Sequence, residues 1–197
     1  MPKFFISYRR DDSRIESWAI YDLLSKYYGK RNVFIDVAGI KAGRDFRSQI
    51  TEAINQCDLI VVMIGKNWEG RTDQGLRISS PDDFVRIEVE AALKKDGSPI
   101  LPILVSDRKM PTAEGLPECI QPITFQHALE FRPQLDFERD KQRILKEIKE
   151  RFPPGIWQRW RGVAVKTMIS TALIAVLAIS MVLIFLTSQN NEPKFTP

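Results

Sequence analysis

The chain has 197 residues, 44% of them hydrophobic and 27% charged, with a formal net charge of +4. That is enough for one ordinary domain plus an extension, and too apolar for a disordered protein. A single histidine, His127, excludes a His-rich metal cage, an HExxH zincin and a Cys/His zinc finger, and the even mixture of charges argues against a nucleic-acid partner. Cys57 and Cys119 are far apart in the chain, which is no disulfide framework and fits a reducing compartment.

In chain order, Phe4-Phe5-Ile6 opens as a short apolar strand. Ser13 with Glu16 three residues on reads as a capping box, and Ile15, Trp18, Ala19, Leu23 and Tyr27 follow at helical spacing until Gly29. Val33-Phe34-Ile35 reads as a second strand. Asp45 can cap a second helix carrying Phe46, Ile50, Ala53 and Ile54. Leu59 to Ile64 (LIVVMI) is an unbroken apolar run, the pattern of a strand covered on both faces.

A polar loop from Gly65 to Pro81 leads to a third helix, expected over Asp82 to Lys95. Ile100 to Val105 is another buried strand, Ile123-Thr124-Phe125 a short last one, and a final helix is expected from about Asp136 to Arg151. This alternation predicts an α/β fold with a doubly wound parallel sheet of about five strands. Trp18 and Phe46 are expected in the core, and His127 in a loop or in packing. Glu147 and Arg151 suit a solvated i,i+4 ion pair. Asp11-Asp12 suits turns and caps better than a metal, and no metal site is expected.

Pro153-Pro154-Gly155 stops the last helix. Thr167 to Thr187 then runs 21 residues without a charge, long enough at about 1.5 Å per residue to cross a hydrocarbon core of about 30 Å. Arg159, Arg161 and Lys166 precede this stretch and only Lys194 follows it, so the expected protein is single-pass with its large N-terminal part cytoplasmic and its C-terminus outside. Trp157 and Trp160 suit the headgroup zone. The expected organisation is a globular domain over 1–152, a linker over 153–162, a transmembrane helix over 163–187 and a polar tail over 188–197.

Ligands of open α/β sheets gather at the carboxyl ends of the strands. Those ends carry Ser7, Tyr8, Arg9 and Arg10 after the first strand, Asp36 through Lys41 and Gly43 after the second, and Gly65 to Trp68 after the third. Arginines, hydroxyls, glycines and an aromatic suit a nucleotide with phosphates and a stacking ring. Neither GxGxxG nor GxxxxGK[ST] is present, so a dinucleotide fingerprint and a P-loop are both excluded. On the third helix, at about 100° per residue, Glu88 falls inside the apolar arc of Phe84, Val85, Val89, Ala91, Ala92 and Leu93. A carboxylate there is either a site residue or an edge-of-core glutamate paired with an arginine.

Four segments in order, FISYRRDD from Phe5, VFIDVAGIKAGRDF from Val33, CDLIVVMIGKNW from Cys57 and FVRIEVEAAL from Phe84, resemble the TIR (Toll/interleukin-1 receptor) domains, with the flavour of the NAD-cleaving members. The resemblance implies a flavodoxin-like TIR fold. It also implies NAD⁺ nucleosidase activity in which Glu88 is the catalytic residue, holding the ribose hydroxyls and stabilising oxocarbenium-like charge as the nicotinamide–ribose bond breaks. NAD⁺ is then a substrate, and no further cofactor is required. The implied NAD-binding residues are Ser7, Tyr8, Arg9, Arg10, Asp36, Lys41, Gly43, Trp68 and Phe84. In this picture the arginines meet the pyrophosphate, Phe84 lines the pocket and Trp68 stacks on a base. Lys41 and Gly43 lie in a loop that touches a neighbouring TIR domain, so a homo-oligomer is expected, in a setting such as bacterial defence. The alternative is a non-enzymatic TIR adaptor at a membrane that recruits other TIR proteins. A pore formed by the span has little support, because its polar residues are few and uncharged.

Overall fold

A computed structural model of the chain describes residues 1–35, 45–95, 97 and 99–154. Residues Met1–Pro154 form one compact unit. Its elements are β1 (Phe4–Ser7), α1 (Arg14–Tyr28), β2 (Val33–Ile35), α2 (Phe46–Asn55), β3 (Leu59–Ile64), β4 (Arg71–Thr72), β5 (Gly75–Leu76), α3 (Phe84–Lys94), β6 (Ile100–Val105), β7 (Leu129–Phe131) and α4 (Phe137–Arg151). Five strands make a parallel sheet in the order β2-β1-β3-β6-β7, and β4 with β5 forms a small antiparallel hairpin. The strand order reverses at β1, which pairs with β2 through Phe4↔Val33 on one side and with β3 through Phe4↔Leu59 on the other.

The alternation of β1 divides the interior in two. Phe4, Ile6 and Tyr8 face α1 and α4, packing with Ile20, Leu24, Phe131, Ile144 and Ile148. Phe5 faces α2 and α3, packing with Ile50, Ile54, Val85, Val89 and Trp68. All six residues of β3 are buried, as its unbroken apolar run requires when both faces are covered. β6 carries Pro102, but β7 pairs only from Ile103 onward, so the missing N–H opens no gap in that ladder.

The two helices beside the second core are capped by aspartates. Asp45 accepts a hydrogen bond from the Arg47 backbone, and Asp83 accepts one from the Arg86 backbone. The third helix therefore starts at Phe84, with Asp83 rather than Asp82 as its cap.

Three expectations are corrected. Ser13 flanks α1 but makes no side-chain cap bond, so the expected capping box does not close. The buried face of α1 is Ile20, Leu23, Leu24 and Tyr28; Ile15 and Trp18 point outward, at 78% and 43% exposure, with Trp18 edge-on to Tyr21. The sheet selects which stripe is buried, and α1 offers two. The last strand is Leu129–Phe131, while Glu118–Phe125 forms a 3₁₀ helix containing Pro122. Ile120 and Ile123, both buried, are spaced at the three-residue period of that tighter helix rather than the two of a strand.

Among the described residues no helix is long and apolar enough to cross a membrane. The expected span at 163–187 lies outside the described residues, as do Asp36, Lys41 and Gly43.

Candidate active site

Ser7, which ends β1 on the face of Phe5, and Arg9, two residues past the strand, are polar and buried. From the other side α3 presents Val85, Glu88, Val89 and Ala92 inward, so one carboxylate enters an otherwise apolar face. Ser7 Oγ donates to Glu88 Oε2 at 2.6 Å, with Ser7 at 0% and Glu88 at 8% exposure. A short bond from a hydroxyl to a carboxylate is charge-assisted.

Arg9 is 2% exposed. Its Nη1 and Nη2 donate to the two carboxylate oxygens of Asp83 at 2.9 and 3.0 Å, and its Nε donates to the Trp68 carbonyl at 2.7 Å. The resemblance implied a phosphate contact for Arg9. The guanidinium is instead buried and held by protein groups, so that role is corrected. Trp68 is likewise fully buried, within the core of Ile64, Ile78 and Val89, and a ring with no exposed face cannot stack on a base. Tyr8 points to the opposite face of the sheet among Phe4, Ile6 and Ile20, away from Glu88. Arg10 is exposed immediately beyond it.

Phe84, expected to line a pocket, lies at the helix start. It opens α3 at 49% exposure, and its ring stands 4.9 Å from that of the partly buried Phe46 at the start of α2. These two aromatic rings stand at the starts of α2 and α3, and Glu88 lies one turn further along α3. Asp83 was not evident from the sequence. Its signal was its position, a cap residue one step before FVRIE and five before Glu88.

A second feature lies at the same sheet edge. A cavity of about 330 Å³ is lined by Asp12, Glu16, Lys66, Ser106, Asp107 and Arg132, and holds neither Ser7 nor Glu88. Asp12 accepts a hydrogen bond from the Asn67 backbone, and burial pushes its carboxyl above the usual range. Gly65 is required there, since a Cβ would come within 2.3 Å of Asp12 Oδ2. Asp12 thus serves the loop, as expected of a turn carboxylate. Among the described residues no group of three His, Cys, Asp or Glu side chains could hold a metal ion.

The TIR domain family matches the chain over residues 4–143, most of its length. The chain belongs to the TIR domain family. Among solved structures, the TIR domains of the activated Roq1 resistosome, described as directly recognizing the pathogen effector XopQ, are 17% identical, with a TM-score of 0.55. The match covers 75% of this chain and 99% of that one, so the likeness carries the fold of the TIR domain. No curated protein matches the chain. In this TIR domain the buried polar residues of the β1–α3 face are Ser7, Arg9, Asp83 and Glu88.

Proposed function

We propose that this TIR domain is an NAD⁺ nucleosidase, a hydrolase of N-glycosyl bonds, with Glu88 as its catalytic carboxylate. The observation that carries the reading is a glutamate at 8% exposure on the apolar face of α3, held by Ser7. Nicotinamide leaves NAD⁺ as a neutral ring from a cationic one, so no strong general acid is needed. As the C–N bond breaks, positive charge gathers on the ribose, and a preplaced anion in a water-poor pocket stabilises it. Water completes the reaction, giving ADP-ribose and a proton; attack by an internal nucleophile gives a cyclic product.

Arg10 is the exposed guanidinium of the group and takes the role of meeting the pyrophosphate, with Asp36, Lys41 and Gly43 completing the substrate edge. The working form is a homo-oligomer, a reading supported by the described assembly of similar TIR domains in a resistosome. Residues 163–187 anchor the chain in a membrane with the TIR domain cytoplasmic, and crowding there raises the effective concentration for assembly. Defence signalling is the setting this combination suits.

The test is nicotinamide release and NAD⁺ loss by the full chain, clustered on liposomes, wild type against Glu88→Ala. Turnover in wild type with a loss on the order of 10³-fold in the variant supports the reading. No turnover from folded, clustered wild type overturns it in favour of a TIR adaptor.

A further inference from the structure

Ser7 and Glu88 belong to different elements, a strand end and a helix that packs through Val85, Val89 and Ala92, and a hydrogen bond joins them. A second attachment stands beside it. Two residues beyond Ser7, Arg9 reaches the first residue of the α3 cap with both arms of its fork, at 2.9 and 3.0 Å. Its Nε is tied at 2.7 Å to the Trp68 carbonyl in the loop after β3. Asp83 simultaneously caps α3, accepting from the Arg86 backbone at 3.0 Å. The side chains of this ion pair are 2% exposed on both partners. The loop itself is shaped around the guanidinium: at Gly70, with φ +68°, a Cβ would come within 2.9 Å of Arg9 Cζ.

We propose that Arg9 and Asp83 are a positioning pair that fixes the register of α3 against β1, holding the Glu88 carboxylate in place and thereby setting turnover rather than substrate affinity. The inference rests on Glu88 being catalytic. A planar fork on a carboxylate is directional in a way a lysine is not, so it fixes orientation as well as distance. A buried ion pair is also a poor device for stability alone, because an apolar pair of like volume often serves as well. Joined to the Ser7–Glu88 bond, it gives α3 two points of attachment at the C-terminal end of β1. Between those points lies the first turn and a half of the helix, so a shift at Asp83 is transmitted to Glu88 through rigid backbone. A misplacement of about 1 Å can cost about a hundredfold in rate.

The experiment compares the full chain with Asp83→Asn and Arg9→Lys. Asp83→Asn keeps a cap for Arg86 but removes the charge. Arg9→Lys keeps the charge but loses the fork and cannot hold both Asp83 and Trp68. The expected result is a kcat lower by on the order of ten- to a hundredfold in both, with KM for NAD⁺ within about threefold of wild type, for protein folded at the assay temperature. A raised KM with unchanged kcat would make Arg9 a substrate contact and overturn the proposal. So would an unchanged kcat with only a lower thermal midpoint, the signature of a merely structural pair. Should Asp83→Asn not fold, Arg9→Lys alone decides. A crystal structure of the variant separates this proposal from the activity itself. Ser7 Oγ and Glu88 Oε2 are expected to part beyond about 3.5 Å, and a contact preserved at 2.6 Å sinks the pair's role. A wild-type chain without turnover counts against Glu88 as catalyst, while that separation still judges the positioning.

Discussion

Two arginine–aspartate pairs bury their carboxylates almost equally and do so for different ends. Asp140 is 1% exposed and Asp83 is 2% exposed at the side chain. Asp140 takes its bonds from one residue eight positions away: the Arg132 backbone N–H at 2.9 Å, its Nε at 3.1 Å and its Nη2 at 3.1 Å. That cluster, with Arg132 itself 26% exposed and Arg143 Nη2 3.5 Å from the same carboxylate, staples the β7–α4 connection through groups close in the chain. Asp83 is reached from Arg9 across 74 residues, and Arg9 also holds the Trp68 carbonyl, so the pair ties the chain just after β1, the loop after β3 and α3 together. A local pair closes a turn. The long-range pair joins the elements that bear Ser7 and Glu88.

The largest effect expected from this contrast is at Arg9. Arg9→Met takes from the buried Asp83 carboxylate its bidentate partner, leaving Arg77 Nε at 3.9 Å, and should cost about 3 kcal/mol of stability, read from the urea midpoint of the full chain. A loss below about 1 kcal/mol would mean that Asp83 finds water or another partner, and the contrast with Asp140 would fail.

At the local staple the effect is smaller and depends on pH. The hydrogen bonds from Arg132 hold the Asp140 carboxyl below its ordinary 3.8. A depressed carboxyl contributes stability that is present above the unfolded value and lost as pH falls through the folded one. Asp140→Asn should therefore lower the thermal midpoint by roughly 5 °C at neutral pH. The gap between variant and wild type should close as the pH is taken below about 4. A gap independent of pH would show that shape rather than charge makes the staple.

The smallest structural effect, and the one that sharpens the contrast most, is at Ser7. Ser7→Ala removes a single oxygen and should move the thermal midpoint by no more than about 3 °C while lowering kcat on the order of tenfold. Equal activity in the two proteins would separate the hydroxyl from the working of Glu88.

The fold was readable in the sequence wherever burial dictated the pattern. LIVVMI and ILPILV can only be central strands, and Asp45 announced its helix as a cap. Reading failed where two local options were close in energy. α1 carries apolar residues on two stripes, and only the sheet decides that Ile20 and Leu24 go inside while Ile15 and Trp18 stay out. Around Pro122 the spacing of Ile120 and Ile123 fits a 3₁₀ helix, a period hidden in an eight-residue segment with a proline at its centre.

For the site, Glu88 was legible because a helical wheel places one carboxylate in an apolar arc, and the structure buries it there. Arg9 was not. Two adjacent arginines read alike along a chain, whereas here the chain leaves β1 at Ser7 and turns at Arg10, so Arg9 is buried as a tie and Arg10 is exposed. Trp68 misled for the same reason, as a tryptophan after a strand can either line an edge or fill a core.

The most direct test of the account sets Glu88→Gln beside Asp140→Asn in the full chain, measuring NAD⁺ cleavage and thermal midpoint on both. The account predicts that Glu88→Gln loses cleavage on the order of 10³-fold with a midpoint within about 3 °C of wild type. It predicts the reverse for Asp140→Asn, with cleavage retained and stability lowered. Cleavage that survives in Glu88→Gln, or that disappears equally in both variants, would contradict it.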